Sequence, residues 1–473
     1  MARRYISGHA CIYKLDCNSI FYATAVTATA SKQVMKKRTH AIAGLLITLA
    51  SAVAVFAQKQ PATAQTRAQS FEVVGYFPQW GIYNRRYIPQ DLVRSGAASM
   101  LTQLNYAQAV IHENACVPGD PQADTNLLFK AEDSIDGIAD DPRSPTLHGN
   151  LHQLQLLRQR YPKLRILVSI EGKANLFAEA ARPENRVTFV HSCIARFLEG
   201  HIAPGIEAPH LFDGIDVDWE YPDAEHAEDF YALMAEFRRQ MDAIRWKSTS
   251  LRAGTQQTGF TLSIASGAAR KHITPIDWKR VALNVDQIGV MAYDFYGPWA
   301  RDTGLHAPLR SNDPKQETVA TAIQAYLAGG APAKQLLLGV PFYAYQWSNV
   351  TARTNFGFNS QGDPIRGNLN QATATALMKN PLAQLHRDPI SNAPWIYDGN
   401  NFLTFEDAFS LRAKNTFAHT QGLGGVMIWE LSGDTGDAQL LRVLSGRPTP
   451  AVVPLKNAQG VPSLSAKPVI LSR

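Results

Sequence analysis

Residues 212–222 read Phe212-Asp213-Gly214-Ile215-Asp216-Val217-Asp218-Trp219-Glu220-Tyr221-Pro222. In an extended strand, successive side chains alternate between faces. Asp216, Asp218 and Glu220 then share one face, while Ile215, Val217 and Trp219 share the other. A solvated acidic loop has no reason to alternate with Ile, Val and Trp. A spaced row along one strand is also poor geometry for enclosing a hard cation. Carboxylates this close raise one another's proton affinity, so the row is expected to hold at least one proton near neutral pH. That suits a general acid at its exposed end, Glu220. Asp213 has the opposite parity, and its expected role is structural support.

Working outward, seven further short runs share this apolar, β-branched character: Glu72–Phe77, Leu101–Ala107, Arg165–Ile170, Phe260–Ser266, Val285–Ala292, Gln335–Pro341 and Gly424–Trp429, with Leu211–Trp219 as the fourth of eight. Several are nearly continuous apolar segments, as strands buried on both faces require. Helix-period stretches separate them; Ala227–Ile244 sets Phe230, Leu233, Met234, Phe237, Met241 and Ile244 on one face. Eight strands alternating with helices predict an α/β fold, a closed (β/α)8 barrel of the TIM type. The span 71–446 exceeds the usual length of that fold. Its largest gap, 342–423, holds a polar, Asn- and Gly-rich segment at about 348–405, which predicts a small inserted lobe between strands 7 and 8. Residues 447–473, with five prolines and no period, read as a flexible tail.

The chain has 473 residues and a formal charge of +6. Residues 1–57 carry seven Lys/Arg and one acid, which leaves 39 bases and 39 acids in residues 58–473. The body is formally neutral, so the basic balance gives no reason to expect a nucleic-acid partner. Met35-Lys36-Lys37-Arg38, the apolar stretch Ala41–Ala57 and the small residues of Val55-Phe56-Ala57 follow the order of a secretory signal. With Gly44, Thr48, Ser51 and many alanines, the stretch is weaker as a membrane anchor. The expectation is a leader over 1–57 with Met35 as the true start, a linker over 58–70, and a mature chain with no membrane span, secreted to an extracellular or periplasmic space. Cys116 and Cys193 then remain in the mature protein. They either pair in that oxidising setting or stay as buried thiols.

The segment Asp213…Asp216…Asp218…Glu220, followed by Tyr221-Pro222, resembles the DxxDxDxE signature of glycoside hydrolase family 18, the chitinase family. Gly75-Tyr76-Phe77-Pro78-Gln79-Trp80 resembles the family's first strand, Leu104-Asn105-Tyr106-Ala107 its second, and Met291-Ala292-Tyr293-Asp294-Phe295-Tyr296-Gly297-Pro298-Trp299 its sixth. Gly339-Val340-Pro341-Phe342-Tyr343 resembles the seventh and Gly424-Gly425-Val426-Met427-Ile428-Trp429-Glu430 the eighth. The resemblance covers roughly 71–446. It implies a retaining, substrate-assisted glycosidase acting on chitin or chitooligosaccharides, with endo action, no cofactor and no metal, and a monomeric chain. In that scheme Glu220 is the acid. Asp218 orients the substrate's acetamido group, Asp216 supports Asp218 from behind, and Tyr293 hydrogen-bonds the acetamide. Tyr76, Tyr221, Met291, Asp294 and Trp429 are the expected substrate contacts. Alternatives are hydrolysis of another N-acetylglucosamine-containing glycan (peptidoglycan or N-glycan cores), or a chitin-binding lectin on the same scaffold; retention of the acid favours an enzyme.

Trp80, Trp299, Trp347 and Trp429 all fall at or just beyond strand ends on the face where barrel sites are built. For Trp429 the resemblance implies the floor of the central subsite; for the others, ordinary packing competes with sugar stacking. Two stretches depart from the family. Strand three ends Ser169-Ile170-Glu171-Gly172-Lys173 where relatives have Ser-x-Gly-Gly, often followed by Trp. After strand seven stands Phe342-Tyr343-Ala344-Tyr345 where Phe-Tyr-Gly-Arg is common. Parity puts Ser169 and Glu171 on the inward face. Both departures are expected to bear on outer subsites and glycan preference.

Overall fold

Eight parallel strands pair side by side and the first closes on the last in a computed structural model that describes residues 71–144, 147–249, 259–351 and 355–446. They are β1 (Glu72–Pro78), β2 (Gln103–His112), β3 (Arg165–Lys173), β4 (Gly214–Glu220), β5 (Thr261–Gly267), β6 (Gln287–Met291), β7 (Leu336–Pro341) and β8 (Gly425–Trp429). β1 pairs with both β2 and β8, so the sheet has no free edge within the ring and forms the expected (β/α)8 barrel. The leader, the linker and the tail lie outside the described residues. Among the described residues no helix is long and apolar enough to cross a membrane.

The two faces of each strand do different work. Outward-facing Ile166, Val168, Ile170, Ile215, Val217 and Trp219 are fully or almost fully buried against the helical shell. Helix Ala227–Thr249 contributes Phe230, Leu233, Met234, Phe237 and Met241 to that layer, the stripe its periodicity predicts. The inward faces carry polar groups at mid-barrel: Gln103 Nε2 donates to Asn105 Oδ1 at 2.8 Å and to Gln287 Oε1 at 3.0 Å. Glycine is needed where inward groups crowd the wall. A Cβ on Gly339 would stand 2.3 Å from the Val290 carbonyl oxygen and 3.1 Å from the Tyr293 ring.

The inserted lobe is a five-stranded antiparallel sheet made from Tyr343–Ser348, Asp363–Asn370, Gln384–Arg387, Pro394–Tyr397 and Phe402–Thr404. It starts at Tyr343, five residues ahead of the expected boundary at 348, because its first strand begins almost directly after β7. The polar composition that marked the insertion starts only once that strand has ended. Trp347 belongs to this lobe's core. It is fully buried and donates its indole N–H to the Ala300 carbonyl at 2.9 Å, so ordinary packing accounts for it.

Cys116 and Cys193 form a disulfide. Cys116 sits on a short strand, Ala115–Pro118, that folds back antiparallel on β2, and Cys193 ends the helix Pro183–Cys193. The Cys116 N–H also donates to Ser192 Oγ at 2.9 Å, so the hairpin and the helix are joined twice.

Candidate active site

The carboxylate row climbs β4 from the barrel interior to its open end. Asp216 is fully buried, and its Oδ2 accepts hydrogen bonds from the Tyr76 hydroxyl at 2.7 Å and Ser169 Oγ at 2.8 Å. Tyr76 is thus a support beneath the row as well as part of the apolar floor with Met427 and Leu337. Asp218 is only 6% exposed and its Oδ1 has no hydrogen-bond partner among the described residues. Glu220 reaches the surface of the cleft at the strand's end. Asp213, with the opposite parity, points away from the row. Its carboxylate binds Arg158 and the Ile166 N–H, each at 2.9 Å, locking β3 to β4 below the site.

All three carboxyls of the row are held above the ordinary carboxylate range, and burial is the leading cause for each. Asp218 is raised furthest, with Glu220, Asp216 and Glu171 adding negative charge around it. For Asp216 burial is opposed by hydrogen bonds from Tyr76, Ser263, Ser169 and Asn105. Glu220 is surface-accessible, yet the cleft walls remove enough water for desolvation to lead its shift; Glu171 and Asp294 then add negative charge. Repulsion between like charges, the cause expected from the sequence, comes second to burial for Asp218 and Glu220.

The row opens into a cleft of about 620 Å³ whose walls include Trp80, Arg85, Tyr221, His272, Met291, Tyr293, Asp294, Trp299, Tyr345 and Trp429 along with Asp218 and Glu220. A larger depression of about 1020 Å³ lies alongside and shares Phe295 and Glu317, but none of the carboxylate row borders it. Trp429 forms the floor with Tyr76 and Trp80, its ring centroid 5.3 and 6.2 Å from theirs. Trp299 is 59% exposed at the rim and meets Tyr345 edge-on at 5.7 Å. Tyr221 stacks on His272 at 3.9 Å, a position open to it because residue 267 is glycine; a Cβ there would stand 2.8 Å from the Tyr221 ring. All nine expected site residues therefore converge on one end of the barrel, seven of them bordering the cleft and Asp216 and Tyr76 lying just below.

The sequence singled out neither the clamp on Asp294 nor the tie behind Trp429. Asp294 has a positive φ of 61° and its Oδ1 accepts hydrogen bonds from the hydroxyls of both Tyr343 and Tyr345, the latter at 2.9 Å. Burial raises its proton affinity and the two phenols pull it back down. Behind the phenols lies His306, whose ring makes edge contacts of 5.4 Å with each. Neither of its nitrogens has a hydrogen-bond partner among the described residues, and burial, with Lys414 nearby, pushes its pKa down to about 3. On the other side Glu430 pairs with Arg85 at 2.6 Å and accepts from the Ser432 N–H at 2.7 Å, anchoring the residue next to Trp429. The Tyr345 departure was visible in the sequence, but its partner was not, since Asp294 lies 51 residues away.

A (β/α)8 barrel with buried carboxylates rising to an aromatic-lined cleft at the C-terminal ends of its strands defines the structural class. A sequence model of Glycosyl hydrolases family 18 matches residues 72–434, and the chain belongs to that family. It is 32% identical over 391 residues to chitinase C of Streptomyces lividans, covering 80% of this chain and 60% of that protein. It is 30% identical over 482 residues to chitinase A1 of Niallia circulans, covering 89% and 64%. The catalytic domain of psychrophilic chitinase B from Arthrobacter TAD20 superposes with a TM-score of 0.69 at 29% identity, covering 80% of this chain and 95% of that one. The chain thus spans about three fifths of the length of these two curated bacterial relatives.

Proposed function

We propose that the protein is a secreted chitinase that hydrolyses β-1,4-linked N-acetylglucosamine polymers with retention, using the substrate's own acetamide as nucleophile. The observation that carries this is Glu220 at the cleft end of β4 with Asp218 buried and unpartnered directly below it. In this reading Glu220 protonates the glycosidic oxygen. The acetamido carbonyl oxygen attacks the anomeric carbon and the leaving sugar departs, giving an oxazolinium ion. Asp218 accepts the acetamide N–H, with its free Oδ1 as the acceptor, and its charge steadies the cation. Tyr76 and Ser169 hold Asp216 in place beneath Asp218, and Tyr293 hydrogen-bonds the acetamide. Glu220, now ionised, takes a proton from the water that opens the ring, restoring the starting configuration. Met291, Asp294, Tyr221 and Trp429 line the subsite.

The surroundings support substrate assistance over a separate protein nucleophile. Glu430 is tied up by Arg85 and Ser432, and Asp294 by two phenols. Asp216 is sealed inside the barrel. Secretion rests on the order of the leader and on the disulfide, which suits an oxidising compartment. Glu220→Gln should lower turnover of a chitin oligomer by about 10²–10⁴-fold while sugar binding persists. The wild-type protein should leave cellulose oligomers and fully deacetylated chitosan uncut. Near wild-type hydrolysis by the variant would reject Glu220 as the acid, and comparable rates on all three substrates would reject the acetamide as nucleophile.

A further inference from the structure

We propose that Glu171 makes the cleft prefer a glucosamine unit beside the reacting N-acetylglucosamine, so that partly deacetylated chitin is the favoured substrate class. The proposal rests on the chitinase reading and refines it. β3 and β4 run parallel in a register that pairs Ser169 with Asp216 and Glu171 with Asp218. Ser169 donates to Asp216 inside the barrel. Gly172 has the other parity and packs outward, since a Cβ there would stand 2.9 Å from Phe177 and 3.0 Å from Ile111. Glu171 therefore stands on the catalytic face, at the same height as Asp218 and exposed. Its one side-chain hydrogen-bond donor is the neutral amide of Gln108.

Among the described residues no cation forms an ion pair with Glu171. Lys173 lies two residues further along the strand and makes no ion pair with it. Arg85 is held by Glu430, while Lys271 and His272 border the cleft from beyond the end of β5. Glu171 is not itself among the residues bordering the cleft; it stands next to Asp218, which is, and among the described residues presents an exposed carboxylate with no ion-pair partner on the β3 side of it. A protonated amine supplies a charge and three donors to such a position. A neutral acetamide leaves the carboxylate uncompensated, and a glycan with acidic substituents is repelled. The reacting sugar itself must keep its acetyl group, so the preference applies to a neighbouring unit.

The test compares the wild-type protein with Glu171→Gln, which keeps the side chain's size. Both are assayed at a mildly acidic pH where the amine is protonated, on a fully acetylated chitin hexamer and on partly deacetylated chitosan oligomers of matched length. The readout is the ratio of kcat/KM on the two substrates, together with the sugar sequence at the newly formed ends. The wild-type ratio should favour the deacetylated substrate by about fivefold more than the variant's, the upper end for an exposed pair of opposite charges. That advantage should shrink as salt is added, whereas the variant's ratio should stay flat. Equal, salt-insensitive ratios, with both proteins cutting the acetylated hexamer, would overturn this proposal alone. Failure of the wild-type protein to cut the hexamer would overturn the chitinase reading, and this inference with it.

Discussion

Replacing Cys116 and Cys193 together by alanine opens the bond between the β2 hairpin and helix Pro183–Cys193. The cysteines are 77 residues apart in sequence. In the chain-entropy account, closing such a loop removes about 15 cal/mol/K from the unfolded ensemble, which is about 4.5 kcal/mol at 25 °C. Both side chains are fully buried, so alanine leaves no stranded hydroxyl where serine would. An unfolding entropy of about 2.1 cal/mol/K per residue over 71–446 gives about 0.8 kcal/mol/K, so the melting temperature should fall by about 6 °C. Calorimetry of the two proteins measures the shift. The mass of the denatured wild-type protein, before and after reduction, shows whether the bond was present. A mass that does not rise on reduction, with melting temperatures within about 1 °C of each other, would refute the reasoning and return both residues to the buried-thiol alternative.

Tyr345→Phe removes one of the two donors to Asp294. Hydrogen bonds to a carboxylate favour its ionised form, so the loss should raise the proton affinity of Asp294 further. If the lost bond is worth about 1.5 kcal/mol, the acid limb of the kcat/KM–pH profile should move up by about one unit, as Asp294 then protonates at higher pH; an unmoved limb would show that its charge is not used. Lys414 and Glu406 form an ion pair, each side chain 1% exposed, with Glu406 also held by Ser410. Lys414→Met leaves that carboxylate buried without its cation and should cost about 3–5 kcal/mol by chemical denaturation at neutral pH. The cost should shrink as pH falls, because Glu406 in the variant binds its proton more tightly folded than unfolded. Adding Glu406→Gln should recover most of the loss.

The barrel was legible because its strands are buried on one face by helices and on the other by the barrel's own interior. That requirement leaves short, nearly continuous apolar runs in the sequence, and all eight were recognisable. The facing of the carboxylate row followed from parity alone, since a strand's period of two sends Asp216, Asp218 and Glu220 one way and Asp213 the other. Parity also put Glu171 on the inward face with Ser169, while the β3–β4 register that sets it beside Asp218 is a property of the folded sheet. The start of the lobe was not legible. Tyr343–Ser348 alternates buried and half-buried residues, and nothing local separates it from the end of β7.

What the sequence could not supply is the partner of each charge. Asp294 meets Tyr343 and Tyr345 only because β6 and β7 are neighbours in the ring, and Glu430 meets Arg85 only because β8 closes on β1. These long-range pairings sort the carboxyls of one crowded cleft into different roles. Two are engaged, by phenols and by a guanidinium, and so are poor nucleophiles. Asp216 is sealed and supported. Asp218 and Glu220 keep a raised proton affinity and border the open cleft, the condition that the proposed general acid and its proposed steering partner require. Glu171 fits none of these groups: it is exposed, forms no ion pair among the described residues, and adds negative charge beside both Asp218 and Glu220. Its effect on the proposed acid can be separated from its proposed effect on binding. The first raises the proton affinity of Glu220 whatever the sugar; the second depends on whether the neighbouring unit carries an amine. A change in pH profile common to all substrates and a change confined to deacetylated ones are therefore distinct signatures of the same side chain.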